Sequence, residues 1–177
     1  ASYMVVQKMQ TYKKVFSDYC NIYSGCIGKY GKNSIVSTHK KENHLIVDKS
    51  GAIVLNDNDA IKSWRKLLGS GGRINQYSKS PIEEYIYVNE DNDIRRLYAK
   101  SGFDIEKYES EKVFIRQTGS DLIAAYDDEG YFSLNNMHIM YSTSDKLSLK
   151  VLMSLLNSYL YNYYYHCISM EKGRTMP

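Results

Sequence analysis

The chain has 177 residues, 43% hydrophobic and 24% charged, which supports one domain with its own core and excludes a largely disordered state. Two Pro and 11 Gly exclude collagen-like and low-complexity chains, and three Cys with four His are too few for a disulfide framework, so a reducing, cytoplasmic compartment is expected. The net charge of +3 is uneven: residues 1–80 carry +8, residues 81–130 carry −7 and the remainder carries +2, so the first part suits a polyanionic partner or forms a solvated basic face.

In chain order, Val5, Met9, Tyr12, Phe16 and Tyr19 recur near helical spacing and predict an opening helix over 3–19. Short apolar runs at 34–38, 45–48 and 52–55 read as strands, the last two joined by a Lys49-Ser50-Gly51 turn. Ile61, Trp64, Leu67 and Leu68 line one face of an expected helix from Asn56 or Asp57 to Leu68, which Gly69-Ser70-Gly71-Gly72 stops. A strand over 84–88 and a short helix over 93–100 follow. Strands are predicted at 112–118, 121–126, 131–134 and 137–141. A long helix from Ser144 or Asp145 to about His166 closes the pattern, with Leu147, Val151, Leu155, Tyr159 and Tyr163 on its stripe. The fold class is mixed α+β, mostly antiparallel, with no repeat. Residues 1–20 are a possible connecting helix and 21–177 a single domain.

The 18 Tyr against 4 Phe and one Trp suit contact surfaces as well as cores. Tyr159, Tyr161, Tyr163, Tyr164 and Tyr165 could form a stacking platform, but their helical spacing favours the core, with packing against a partner domain. Residues 151–170 hold no Asp, Glu, Lys or Arg, but Ser154, Asn157, Ser158, Asn162 and His166 interrupt them, so a buried helix and no membrane partner is expected. No signal peptide is expected from residues 1–10.

Several chemistries lack their motifs. The cluster Gly69–Gly72 has no Lys of a phosphate-binding loop. Cys20 and Cys26, and His39 and His44, are not spaced as zinc ligands, so no metal is expected. Pro81 and Pro177 are the only prolines, which excludes the paired prolines of a DNA aminomethyltransferase loop. No Lys follows an acid by two positions, so the acid-x-Lys half of a common nuclease motif is missing. The chain is read as a binding protein and not an enzyme.

Lys112–Gly119, Ser120–Asp127, Tyr131–Asn136, then Leu155–Ser158 and Lys172–Thr175, preceded by Gly72–Tyr77 and Glu84–Val88, together resemble the TaqI-like C-terminal specificity domain. That module is the target recognition domain of adenine-specific DNA methyltransferases and fused type II restriction–modification enzymes. The resemblance covers about 67–177. It implies double-stranded DNA as partner, and a separate methyltransferase or endonuclease domain of the same protein that holds S-adenosylmethionine, flips an adenine and methylates its N6. No cofactor is implied for this chain. In the family the chain usually continues past the Lys172–Thr175 block, so a piece of a longer protein is expected.

Within those blocks, Arg73 follows a glycine-rich loop and suits guanine or a phosphate, or is a solvated loop residue, and Gln76 and Tyr77 suit adenine and a phosphate, or pack the turn. Arg116 and Gln117 end a strand; with Val113 and Ile115 inward, Phe114 and Arg116 would face out toward a groove. The alternative for Arg116 is an ion pair with Glu109, Glu111 or Asp121. Lys172 and Arg174 could bind phosphate or satisfy the end of the long helix. Lys40, Lys41, Lys62, Arg65 and Lys66 are the next basic candidates. Two other readings are a type I restriction specificity-subunit domain and a protein-interaction or regulatory domain docking through its Tyr-rich helix.

Overall fold

The computed structural model of the chain describes residues 2–25, 36–37, 45–47, 53–56, 64–69, 71–80, 84–87 and 105–169. Helix α1 (Ser2–Gln10) is followed by a 3-10 turn over Phe16–Asp18 and strand β1 (Cys20–Ser24). Strands β2 (Val36–Ser37), β3 (Leu45–Val47), β4 (Ile53–Asn56) and β5 (Trp64–Leu68) come next. A second 3-10 turn (Gly71–Arg73) leads into the small hairpin of β6 (Ile74–Asn75) and β7 (Ser78–Lys79), and then β8 (Tyr85–Tyr87). Helix α2 (Ile105–Glu109) precedes β9 (Lys112–Arg116), β10 (Ala124–Asp127), β11 (Phe132–Ser133) and β12 (Met137–Ser142). Helices α3 (Leu149–Leu156) and α4 (Tyr159–Ile168) complete the order.

Two four-stranded sheets organise these elements. The first, β1-β12-β9-β10, is antiparallel throughout. The second, β11-β5-β8-β2, joins β11 to β5 in parallel and is otherwise antiparallel. Strands β3 and β4 pair as the expected hairpin; its turn lies outside the described residues, as does the short helix expected over 93–100.

Strand β9 runs through the middle of the first sheet. Val113 and Ile115 pack with Cys20, Ala124 and Met140 beneath Leu149, Leu152, Met153 and Leu156 of α3. Phe114, expected to face out, is fully buried, with its cross-strand neighbours Ala125 and Ile139 buried on the same face. Both faces of β9 are therefore covered, and alternation does not separate core from solvent on such a strand.

Three further expectations are corrected. The opening helix stops at Gln10, where the Thr11 hydroxyl turns back onto the Lys8 carbonyl at 2.7 Å, and Phe16 and Tyr19 pack instead against the core beside Cys20. Residues 64–68, expected to end a helix, form a strand: β5 is bonded on both sides, and Leu67 and Leu68 are both buried. The long C-terminal helix is two. Asn157 ends α3, and Ser158, in extended conformation, starts α4 by accepting the N–H of Tyr161 at 3.2 Å. Ser148 caps α3 in the same way, accepting the N–H of Val151 at 3.3 Å. Among the described residues no helix is long and apolar enough to cross a membrane.

Candidate nucleic-acid interface

Three loops meet where β9 and β10 are connected. Asn136, in the turn between β11 and β12, donates from Nδ2 to the Gly69 carbonyl at 3.1 Å and accepts the Gln117 N–H at 3.3 Å. It thus ties the segment that carries Arg73 to the loop that carries Gln117. Gly71 lies against Arg116: a Cβ at Gly71 would stand 3.0 Å from the Arg116 Cγ. Gly119 closes the other side. Its φ of +123° is open to glycine alone, and a Cβ there would come within 2.7 Å of the Arg116 guanidinium. Two glycines therefore hold the arginine in a slot. The far end of the β9–β10 loop is held by α4, where His166 Nε2 is 2.7 Å from the Ser120 carbonyl and 3.0 Å from the Asp121 carboxylate.

Arg116 is half-buried in its slot, and its Nε has no hydrogen-bond partner. The carboxylates that could have paired with it are engaged elsewhere. Glu109 binds Arg65 at 2.7 Å, Glu111 accepts from the Tyr126 hydroxyl, and Asp121 meets His166. That hydrogen bond to Glu111 holds the Tyr126 hydroxyl neutral and pushes it up to about 12.

The β6–β7 hairpin packs along the outer edge of β10. Arg73 just before it and Asn75, Gln76 and Tyr77 on it are all exposed. Behind them the backbone is anchored: Ser80 N–H bonds the Arg73 carbonyl at 2.8 Å, and Tyr77 N–H bonds the Ala124 carbonyl at 2.9 Å. Gln76 Nε2 reaches the Asn157 carbonyl at 3.5 Å, so its amide braces the turn against the end of α3. Tyr77 has a φ of 68°, a left-handed conformation that costs a side-chain-bearing residue roughly 1–2 kcal/mol.

The edge of β10 and of the segment leading into it is further sealed by two asparagines. Asn157 accepts the Ala124 N–H and donates to the Ala124 carbonyl, both at 2.8 Å. Asn162 accepts the Leu122 N–H at 2.7 Å and donates to the Leu122 carbonyl at 3.4 Å. Side-chain amides thus take the place of a neighbouring strand, and the break between α3 and α4 lets both reach the edge. This role is the one that sequence reasoning missed, although paired Asn and Ser inside an apolar helical stripe were the signal for it.

At the opposite end of β9 lies a buried charge cluster. Asp127 and Lys112 are fully buried and paired, and Lys112 also donates to the Tyr108 and Ser110 carbonyls. Burial pulls the Lys112 ammonium below the ordinary lysine range, and Asp127 only partly offsets it. Lys79 of β7 binds the other Asp127 oxygen and, at 3.0 Å, Glu129. Burial alone would lower Lys79, but hydrogen bonds to those two carboxylates outweigh it and leave it raised. This cluster fastens the hairpin to the sheet.

Of the seven candidate side chains, the structure brings Arg73, Gln76, Tyr77, Arg116 and Gln117 to loops on one end and edge of the first sheet. Lys172 and Arg174 lie outside the described residues, as do Lys40, Lys41 and Lys62. Arg65 and Lys66 pair with Glu109 and Glu129. The Tyr-rich helix is corrected: in α4 only Asn162 is buried, Tyr159 is 86% exposed, and Tyr161, Tyr163, Tyr164 and Tyr165 are intermediate. The second helix starts on a new axis after Ser158, so the stripe extrapolated from α3 no longer faces the core. Among the described residues no group of three or more His, Cys, Asp or Glu gathers to hold a metal.

Residues 66–177 match the TaqI-like C-terminal specificity domain, and all seven candidate side chains fall within that span. Compared with the curated proteins, the chain matches none. The match takes in more than half of the sequence, including both halves of the loop cluster and the asparagine-sealed edge. The chain therefore belongs to the TaqI-like C-terminal specificity domain family, whose members are non-catalytic recognition domains of restriction–modification enzymes.

Proposed function

We propose that the chain is the DNA sequence-recognition module of an adenine-specific type II restriction–modification enzyme, presenting duplex DNA to a separate catalytic domain of the same protein. The observation that carries this reading is the family match over residues 66–177. The geometry supports it: Arg73, Arg116 and Gln117, donors suited to phosphates and guanine or adenine edges, stand on loops tied together through Asn136. In this reading Gln76 and Tyr77 touch DNA from the hairpin, and Lys172 and Arg174 add phosphate contacts. S-adenosylmethionine belongs to the catalytic domain, and the complex works in the cytoplasm.

The test is binding of mixed-sequence duplexes over a salt series, with calorimetric titration of S-adenosylmethionine alongside. The chain alone binds weakly, with a dissociation constant on the order of 10⁻⁴–10⁻⁶ M at physiological salt. Removing a phosphate-binding Arg lowers the salt slope by about one and weakens all sequences alike, whereas a base-reading Arg costs ~1–3 kcal/mol at one base pair in the intact enzyme. Arg73→Ala and Arg116→Ala each produce one of these two signatures. Salt-independent behaviour, or saturable cofactor binding by this chain, overturns the reading.

A second reading has one observation in its favour. Tyr159 and Leu160 project from α4 as exposed hydrophobics, which suits a protein partner. We assign that face to the catalytic domain of the same protein; Tyr159→Ser then weakens domain association and leaves the duplex salt slope of this chain unchanged.

A further inference from the structure

Tyr77 occupies the second position of the two-residue turn between β6 and β7, flanked by the Asn75–Ser78 pair. Among the described residues it is the one non-glycine with a positive φ. The fold explains the conformation. With the chain turned left-handed there, the Tyr77 N–H bonds the Ala124 carbonyl, 2.9 Å away. The fold does not explain the residue. Glycine or asparagine serves such a position at little or no steric cost, and tyrosine does not. Nor is the ring enclosed. It is 51% exposed, and among the described residues its hydroxyl has no hydrogen bond and its ring no aromatic or cationic partner. Its neighbours Arg73, Asn75 and Gln76 are exposed with it, and its backbone is fixed from behind by β10. A half-exposed flat ring is thus carried on an anchored backbone in the company of groups suited to DNA.

We infer that the Tyr77 ring is an aromatic wedge that stacks on a base step of duplex DNA. This rests on the reading above and deepens it, since it assigns to the ring a contact that is neither hydrogen-bonded base reading nor phosphate binding. Stacking on bases is tolerant of sequence, and side chains inserted at a step partly unstack it. Because the backbone is already anchored, only the ring's own rotamers remain to be ordered on binding.

The experiment uses the full chain, as wild type and as Tyr77→Phe, Tyr77→Gly and Tyr77→Asn, with a mixed-sequence duplex containing TpA steps. Thermal unfolding, duplex affinity across a salt series and permanganate reactivity of the thymines are measured. The wedge predicts that Tyr77→Gly and Tyr77→Asn raise the melting temperature yet weaken the duplex about tenfold. Tyr77→Phe keeps the affinity, and thymine reactivity rises with wild type and Tyr77→Phe only. Undiminished binding by Tyr77→Gly overturns the inference alone, as does a lowered melting temperature in that variant. A loss in Tyr77→Phe as large as in Tyr77→Gly also overturns it, by assigning the hydroxyl to a phosphate. No duplex binding by the wild type at any salt overturns the functional reading, and the wedge with it.

Discussion

Asp127 ties β7, β9 and the turn before β11 together. Its two oxygens accept from Lys112, Lys79 and the Tyr131 N–H, and it is fully buried. A buried ion pair contributes little net stability over an apolar pair, but breaking it leaves one charge stranded. Asp127→Ala is expected to cost ~3–5 kcal/mol, because the Lys112 ammonium keeps its burial and loses its counter-ion. The double variant Lys112→Met, Asp127→Leu should recover much of that loss. Urea unfolding of the three variants checks the order; an Asp127→Ala protein as stable as the double variant contradicts it. Lys79 keeps only its pairing with the half-exposed Glu129, so the hairpin that carries Tyr77 should loosen in the single variant.

At the scale of elements, the seal on β10 decides how the C-terminal helices sit. An unpaired strand edge exposes amides and carbonyls that other chains can join. Here Tyr77, Asn157 and Asn162 occupy that edge, and the last two are available because α3 and α4 part at Ser158. Asn157→Ala strips the Ala124 N–H of its side-chain partner and is expected to cost ~1–3 kcal/mol. Asn157→Asp keeps the acceptor for that N–H but sets a buried carboxylate oxygen against the Ala124 carbonyl, and should be less stable than alanine in urea unfolding at neutral pH. Equal stability of all three would show that water serves this edge as well as the amide does.

Across the whole molecule, stability is graded from the first sheet outward. Strands β9 and β12 are paired on both sides and lie beneath α3 or against buried side chains, while α1 carries the exposed Tyr3 and Met4. Local opening is cheapest where few apolar contacts must break. Amide hydrogen exchange should therefore be slowest at Val113–Ile115 and Ile139–Met140, faster in the β6–β7 hairpin, and fastest in α1. Protection in α1 equal to that of β9 would refute this order. A rigid sheet under an anchored hairpin suits recognition, where reading groups must keep their positions before the partner arrives.

The sequence by itself determined the α+β class, the β3–β4 hairpin and the four strands near 112–141, because β-branched and aromatic runs bounded by Gly, Asn and Asp have no competing local solution. It also determined the family, through the order of several short blocks. The tertiary structure alone decided that residues 64–68 form a strand, since Trp64, Leu67 and Leu68 satisfy a helical spacing equally well until β8 and β11 pair with them. It alone decided that β9 is covered on both faces, which alternation cannot show. The division of the last helix depended on Asn157 and Asn162 finding the edge of β10, more than thirty residues away in sequence, and no local pattern encodes so distant an acceptor. For the candidate interface, residue types were legible and arrangement was not. Arg73 and Arg116 are far apart along the chain, and only the hydrogen bonds of Asn136, with Gly71 packed on Arg116, bring their loops together.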